Sequence, residues 1–430
     1  MKLLKRSYRV LVVGGGGREH AIVSKLHENE SIKKLYCAPG NGGTAQYAEN
    51  VAIGATDIDG LTHFAVKEKI DYVVVAPDDP LAMGLVDRLN ALKIPAFGPV
   101  AAAAQIEASK SFAKDLMREA EIPTAAYEVF EDYDAAKTYL ETCNLPIVLK
   151  ADGLALGKGV LICETVEDAL NGLDQIMRDK KFGSAGDRIV IEEFLRGDEL
   201  TVLCFTDGKT YKTMPNSRDH KRALDGDKGL NTGGMGAVSP GCKLDAETER
   251  ILHERIFEPT IKAMRERGTP FKGVLYFGLM LTADGPKVIE YNARFGDPET
   301  QTVLPLLETD LFEIFQAVTD ERLDEIDIRW RDEASACVVM ASGGYPEAYR
   351  KGYPITGLEQ VDGYVFHAGT AVNEEGQLVT AGGRVLAVTC TAPTLEEALN
   401  KAYTQIEKIN FQDAHYRHDI GRTGSALAEG

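Results

Sequence analysis

Apolar positions along the first hundred residues follow two alternating rhythms. Arg9–Val13 is a β-type apolar run, and Lys34–Cys37 and Tyr72–Ala76 repeat it. Between these runs the apolar residues take helical spacing, over about His20–Leu26, Leu61–Lys69 and Leu81–Leu92. This alternation predicts a parallel, doubly wound α/β sheet, with ligand loops at the carboxyl ends of its strands. A helix is predicted over Lys110–Ala120, stopped by Ile122-Pro123. Helices at Tyr133–Glu141 and Val166–Met177, with strands at Ile147–Lys150, Gly159–Cys163 and Arg188–Glu193, predict a small α+β unit. A long helix near Ala246–Arg267 and strands at Val274–Leu281 and Lys287–Tyr291 follow. Ile326–Arg331 reads as a connector. The last hundred residues carry β-type runs at Ala334–Ala341, Tyr364–His367 and Arg384–Thr389 and a helix near Leu395–Ile406, a small C-terminal α+β domain. The expected divisions are 1–105, 106–325 (with a subdomain over about 123–194) and 326–430.

Composition narrows the class without changing this picture. The 430 residues are 44% apolar and 27% charged, ordinary values for a chain with a core. No apolar run is long enough for a membrane span, and Met1–Tyr8 lacks the features of a secretory signal. Seven cysteines without C-x-x-C spacing argue against a disulfide framework or a zinc site and for a reducing, cytoplasmic setting. A net charge of −18 excludes a general nucleic-acid binder, which needs a basic footprint.

Five segments carry candidate chemistry. Gly14–Arg18, after the first strand, suits backbone approach to a phosphate. It does not hold a G-x-G-x-x-G register, because Glu19 or His20 stands at the third Gly. The second strand leads into Asn41-Gly42-Gly43-Thr44, another donor-rich turn, so the pair suits one phosphorylated sugar better than a dinucleotide; two plain tight turns are the alternative. In the segment 148–160, Lys150 ends a strand and Lys158 sits inside a Gly loop with Gly157 and Gly159. That loop covers a phosphate or is an ordinary hairpin. It is not a Walker A sequence, since Gly153 and Gly157 are too close and Gly159 replaces the Ser or Thr. Glu192-Glu193-Phe194-Leu195 with Glu199 forms either an adenine hinge with a ribose acid or a solvated strand end. On the strand Lys287–Tyr291 and its continuation, Glu290 and Asn292 share a face, and Mg²⁺ commonly takes one or two such oxygens. Arg294 lies two residues further on and could hold a carboxylate or a transferring phosphoryl group; an amphipathic strand is the alternative. Finally, Asp219-His220-Lys221-Arg222 sets three potential positive charges beside an acid, before the polar loop Asn231-Thr232-Gly233-Gly234. His220 by itself reads more readily as a surface histidine than as a base.

Taken in order, GGGGREHA, APGNGGTA (38–45), KADGLALGKGV (150–160), DHKR with NTGGMGA, and EYNARFGDPE (290–299) resemble the phosphoribosylamine–glycine ligase family of ATP-grasp enzymes over essentially the whole chain. The resemblance implies ligation of glycine to 5-phosphoribosylamine through glycyl phosphate, giving glycinamide ribonucleotide, ADP and phosphate in purine synthesis. It implies ATP contacts at Lys110, Lys150, Gly157, Lys158, Gly159, Glu192, Glu193, Phe194, Leu195 and Glu199, and Mg²⁺ or Mn²⁺ at Glu290 and Asn292. Substrate contacts are implied at Gly16, Gly17, Arg18, Asn41, Gly42, Thr44, Pro77 and Asp78, and at Asp219, His220, Lys221, Arg222, Asn231, Gly234 and Arg294. Arg294 and Lys158 are the implied catalytic groups, and the loop at 153–159 the lid. Asp78 stands where the family often has Glu, and Tyr276–Leu279 carries no metal carboxylate. The expected partners are small molecules, with no nucleic acid or membrane and a monomer or homodimer. A carboxylase of the same fold, a nicotinamide-dependent dehydrogenase and a non-catalytic nucleotide binder are the competing readings. The ATP motifs do not separate the first, the missing third Gly and ribose acid oppose the second, and the Lys, Glu-Asn and Arg set opposes the third.

Overall fold

The computed structural model describes residues 7–154 and 159–422. Five parallel strands open the chain: β1 (Tyr8–Gly14), β2 (Ile32–Pro39), β3 (Glu49–Asn50), β4 (Tyr72–Val75) and β5 (Ala96–Phe97). They are ordered 3-2-1-4-5, so β1 is central and the loops after β1 and β2 lie side by side. The first helix begins at Gly17, three residues earlier than the apolar spacing predicts. The Glu19 carboxylate turns back to accept from the Gly16 amide at 2.6 Å, so the glycines enter the helix through a cap. The predicted helix Leu81–Leu92 is instead two, Asp78–Ala82 and Leu85–Ala91. Gly84 between them takes φ +83°, outside helical geometry.

A four-stranded antiparallel unit follows, made of β6 (Tyr127–Phe130), β7 (Ile147–Ala151), β8 (Val160–Cys163) and β9 (Ile189–Glu193) in the order 6-9-7-8. Its helices cover one face around a separate core that includes Leu149, Leu173 and Ile191. The next sheet contains β10 (Asp198–Asp207) and β11 (Tyr211–Thr213). The stretch 217–240, which reads as a loop in the sequence, is mostly strand: β12 (Arg218–Asp219), β13 (Arg222–Leu224), β14 (Lys228–Asn231) and β15 (Gly236–Ser239). After them β16 (Lys272–Thr282) and β17 (Gly285–Asn292) complete the order 11-10-16-17. The long helix predicted at Ala246–Arg267 is continuous, but Leu252–Phe257 takes wider π-type bonding. Pro259 supplies the reason, because it has no N–H for the preceding turn and its ring crowds that turn's carbonyl.

The C-terminal sheet is built on β18 (Ala334–Ser342), with β19 (Tyr364–His367), the hairpin β20 (Thr370–Val372) and β21 (Leu378–Thr380) beside it, β22 (Arg384–Ala392), and β23 (Ala414–His415). The order is 12-15-18-22-19, with β23 on β18, so two strands of the sheet come from the 217–240 segment. The connector is docked rather than free. Ile326, Ile328 and Trp330 pack on one core, and the Arg331 amide donates to Leu306 O at 2.8 Å.

Both faces of the N-terminal sheet are buried against later sequence. One face joins Leu11, Val13 and Val75 to Leu200, Phe277 and Ala293. The other joins Val12 and Phe97 to Phe205, Phe312 and Phe315. Phe97 and Phe315 stack with ring centroids 3.9 Å apart. Phe315→Ala is expected to cost roughly 3–5 kcal/mol and to lower the thermal midpoint. A midpoint equal to wild type would show that this junction does not hold the sheet in place.

Candidate functional site

Strand β17 sets the line of the site. Its alternation turns Glu290 and Asn292 to one face, and Arg294 continues that line just past the strand. Glu290 Oε1 lies 3.2 Å from Lys221 Nζ. The positive charge of Lys221, with those of Lys150 and Lys110, holds the Glu290 carboxyl at a pKa of about 2 against the opposing effect of burial. The chain must approach closely here, since a Cβ on Gly278 of β16 would lie 2.9 Å from Glu290 Cγ.

Lys150, one residue before the end of β7, is buried. Its Nζ donates to Glu192 Oε2 at 3.0 Å and to Ile289 O at 3.1 Å. A second buried lysine, Lys114, reaches the same Oε2 at 3.0 Å, and burial lowers its pKa to about 8. Glu192 therefore holds two ammonium groups with one oxygen, and its Oε1 has no hydrogen-bond partner among the described residues. Lys110 donates to Gly153 O at 2.8 Å, and burial lowers its pKa as well. Asp152 accepts from the Ser111 amide and hydroxyl at 3.1 and 2.6 Å, which ties the start of the Gly loop to the Lys110 helix. Gly159 O accepts from the Ala151 amide at 2.9 Å and closes the loop's base. Gly157 and Lys158 lie outside the described residues.

Past β9 the side chains alternate. Glu193 turns away from Glu192 and accepts from the Ala126 amide at 3.2 Å. Phe194 and Leu195 are half-buried and Glu199 is exposed, at the open end of β10. Gly197 is obligatory there, because its φ is +155° and a Cβ would lie 2.1 Å from Leu281 O.

The two loops of the N-terminal sheet meet, but largely through each other. Asn41 Nδ2 donates to Gly15 O at 3.0 Å and to His367 O at 2.8 Å, while its Oδ1 accepts from the Gly43 and Thr44 amides. The Thr44 hydroxyl donates back to Asn41 O at 3.0 Å. The Gly42 amide donates to Thr370 O at 3.2 Å, and a Cβ there would strike Leu378. A Cβ on Gly17 would lie 2.5 Å from Gln301 Nε2. Arg18 is engaged by Glu19 at 2.7 Å and by Phe295 O at 3.0 Å.

Arg294 is held by acids that sequence reading did not all find. Its Nη2 lies 3.0 Å from Glu107 Oε1, 3.2 Å from Asn292 Oδ1 and 3.9 Å from Asp78 Oδ2, while its Nε is buried without a partner among the described residues. Pro77 caps the short helix that carries Asp78. Burial raises Glu107 to about 7, against the pull of Arg294. Beyond Arg294, the buried carboxyls of Asp219 and Glu299 are both pushed upward, by burial first. Asp219 Oδ1 has no partner among the described residues, and Gly234 brings its backbone against it, since a Cβ there would lie 2.7 Å from Oδ1.

The Asp219–Arg222 run divides. Asp219 and Lys221 face the acids of β17 and its extension. His220 is buried on the opposite side, where its Nε2 accepts from the Gly421 amide at 3.0 Å. Burial lowers its pKa to about 4, so it is neither a surface histidine nor a third positive charge. The Arg222 guanidinium donates to Gly229 O at 2.8 Å within its own hairpin, and Asn231 is its partner across that hairpin. Arg384 of β22 was not legible as a site residue. It donates to Gly233 O at 2.6 Å and to Asp297 O at 2.9 Å, fixing the Asn231–Gly234 turn against the Asp297–Glu299 segment. Lys114 carried a usable signal, lying one helical turn after Lys110. Glu107 is the one acid in an apolar helix. Arg384 carried no local signal.

Comparisons with known proteins agree with this arrangement along the chain. Family models match in sequence order: the "Phosphoribosylglycinamide synthetase, N domain" at residues 8–107, its "ATP-grasp (A) domain" at 108–300 and its "C domain" at 335–423. The phosphoribosylamine–glycine ligase of Halalkalibacterium halodurans is 49% identical over 423 residues, covering 98% of this chain and 97% of that one. The enzyme of the same name from Caldanaerobacter subterraneus is 46% identical over 413 residues, 96% of this chain and 99% of that one. The crystal structure of phosphoribosylamine–glycine ligase from Thermotoga maritima superposes with a TM-score of 0.84 at 35% identity, covering 96% of this chain and all of that one. Biotin carboxylase from Campylobacter jejuni, at 15% identity and a TM-score of 0.73, shares the fold alone. The chain belongs to the phosphoribosylamine–glycine ligase family of ATP-grasp enzymes.

Proposed function

We propose that this chain uses ATP to join the carboxylate of glycine to the amine of 5-phosphoribosylamine, in purine biosynthesis. The observation that carries this reading is the meeting of Lys110, Lys150 and Lys221 around Glu290, with Arg294 next in line, in a chain of this family. A carboxylate does not condense with an amine in water, because its oxygen is a poor leaving group. A glycine carboxylate oxygen attacks the γ-phosphorus of ATP, and the bond to the ADP oxygen breaks. The amine nitrogen then attacks the carbonyl carbon of glycyl phosphate, phosphate leaves and the nitrogen loses a proton. The protein supplies positioning and charge neutralisation, the main sources of rate in phosphoryl transfer.

Lys150 and Lys110 suit the polyphosphate, since both are cations at the mouth of the Gly loop, Lys150 buried and Lys110 half-buried. Glu192 acts by holding Lys150 rather than by meeting the nucleotide. The half-buried Phe194–Leu195 stretch suits the base and the exposed Glu199 a ribose hydroxyl. Glu290 and Asn292 offer hard oxygen donors on one strand face, and Glu290 stays ionised. That fits Mg²⁺ or Mn²⁺, which leave most of their coordination to water and phosphate oxygens. When bound, the cation neutralises charge on the transferring phosphoryl group. Asp219, Glu299 and Arg294 together suit the two charged ends of glycine. The Gly16–Arg18 turn, where the first helix begins, suits the sugar phosphate, while the Asn41–Thr44 turn, whose amides are taken by Thr44, Thr370 and Asn41, shapes the pocket rather than donating to it. The seven cysteines are free thiols, which supports a cytoplasmic setting.

ADP release should require glycine and phosphoribosylamine together. Release that ignores glycine but responds to bicarbonate would overturn the substrate assignment and keep the fold. Glu290→Ala should lower kcat by about a hundredfold or more with the thermal midpoint little changed; near-normal turnover at saturating magnesium would remove Glu290 from the metal site.

Glu107→Gln tests the buried acid by its sign. A carboxyl raised from 4.5 to about 7 binds its proton more tightly folded than unfolded, so its contribution falls as pH rises between those values. The thermal midpoint of Glu107→Gln minus that of wild type should therefore grow from pH 4.5 to about 7 and then level. A difference that does not change with pH would mean that Glu107 ionises normally.

A further inference from the structure

The Asp219–Lys221 edge of the cleft is too short to hold itself. Its strand β12 has two residues, and the hairpin β13–β14 that follows exposes Leu224 and Leu230. Extended backbone sends Asp219 and Lys221 to the cleft and His220 to the far side. On that far side runs the chain's C-terminal segment. Its Gly421 amide donates to His220 Nε2 at 3.0 Å, and Gly226, at the hairpin tip, donates its amide to Asp419 Oδ2 at 2.7 Å. At the centre is Arg417, whose side chain is fully buried although it is charged. It reaches Asp419 through Nε at 2.8 Å, Asp227 through Nη1 at 2.9 Å and the carbonyl of Arg222 through Nη1 at 3.0 Å. Its own carbonyl accepts from Tyr403 OH at 2.8 Å, which ties the segment to the C-terminal helix Leu395–Ile406.

A buried guanidinium costs desolvation energy that only well-formed partners offset. The partners named lie either in the C-terminal segment or on the hairpin that follows Lys221, Arg222 on its first strand and Asp227 in its turn. We propose that Arg417 is a positioning residue for catalysis: it clasps the hairpin so that Lys221 meets Glu290 and Asp219 meets Glu299. Arg417 touches neither Glu290 nor any residue assigned above to ATP. The placement of glycine by Asp219 rests on the function proposed above; the clasp itself does not.

The experiment compares wild type, Arg417→Met and Arg417→Lys by steady-state kinetics and by amide hydrogen exchange of the substrate-free full chain. Arg417→Met should raise exchange across residues 219–224 and raise the KM for glycine about tenfold or more, with the KM for ATP changed less than about twofold. Arg417→Lys, which keeps the charge but not the planar fork, should fall between. Unchanged exchange at 219–224, or an equal loss in kcat with both KM values unaltered, would overturn the proposal. If Arg417→Met does not fold, Asp227→Asn at the half-exposed hairpin tip carries the same expectations at smaller size. Raised exchange in a protein whose wild type ignores glycine would leave the clasp standing and remove the glycine reading.

Discussion

One carboxylate, Glu290, stands half-buried in the cleft among lysines that arrive from three separate stretches of chain. A lone buried carboxylate would take up a proton, and lone buried ammonium groups would lose theirs. Brought together, each keeps the other charged. Lys221 comes from the segment that joins the C-terminal sheet, Lys150 from the small antiparallel unit, and Lys110 from the helix beside the N-terminal sheet. The correct placement of all three regions is therefore written into the ionisation of one side chain. A cleft that already holds cations at fixed positions needs little rearrangement when a polyphosphate enters.

The same economy of buried charge recurs around it. Glu192 carries Lys150 and Lys114 on one oxygen, Glu107 carries Arg294, and Asp297 carries Arg384 at 3.2 Å. These are the acids and bases that do not face a substrate directly but aim those that do. They explain why residues with no recognisable pattern of their own surround each recognisable one. Asp219 Oδ1 and Arg294 Nε, among the buried polar atoms without a partner in the described residues, lie where glycine is proposed to bind.

Two sequence readings changed for reasons that are local and physical. The 217–240 segment has the composition of a loop, yet its last strand, β15, pairs with β18 nearly a hundred residues later. Polar, Gly-rich composition hides the strand β15 because the partner that buries it is remote, while β12, β13 and β14 pair within the segment. His220 looked exposed because it sits in a charged run, but strand alternation turns it away from that run and into the C-terminal segment.

The sequence by itself determined the parallel N-terminal sheet, the line Glu290–Asn292–Arg294 and the family, because strand alternation, apolar periodicity and ordered motifs are local properties of the chain. It also marked Lys110 and Lys150. What only the tertiary structure decided is which charges neutralise which. Glu107 meets Arg294 across 187 positions, Arg384 meets Gly233 across 151, and Arg417 meets Arg222 across 195. Such pairs leave no local trace, since their energy depends on a desolvated site that exists only once distant segments have packed against one another.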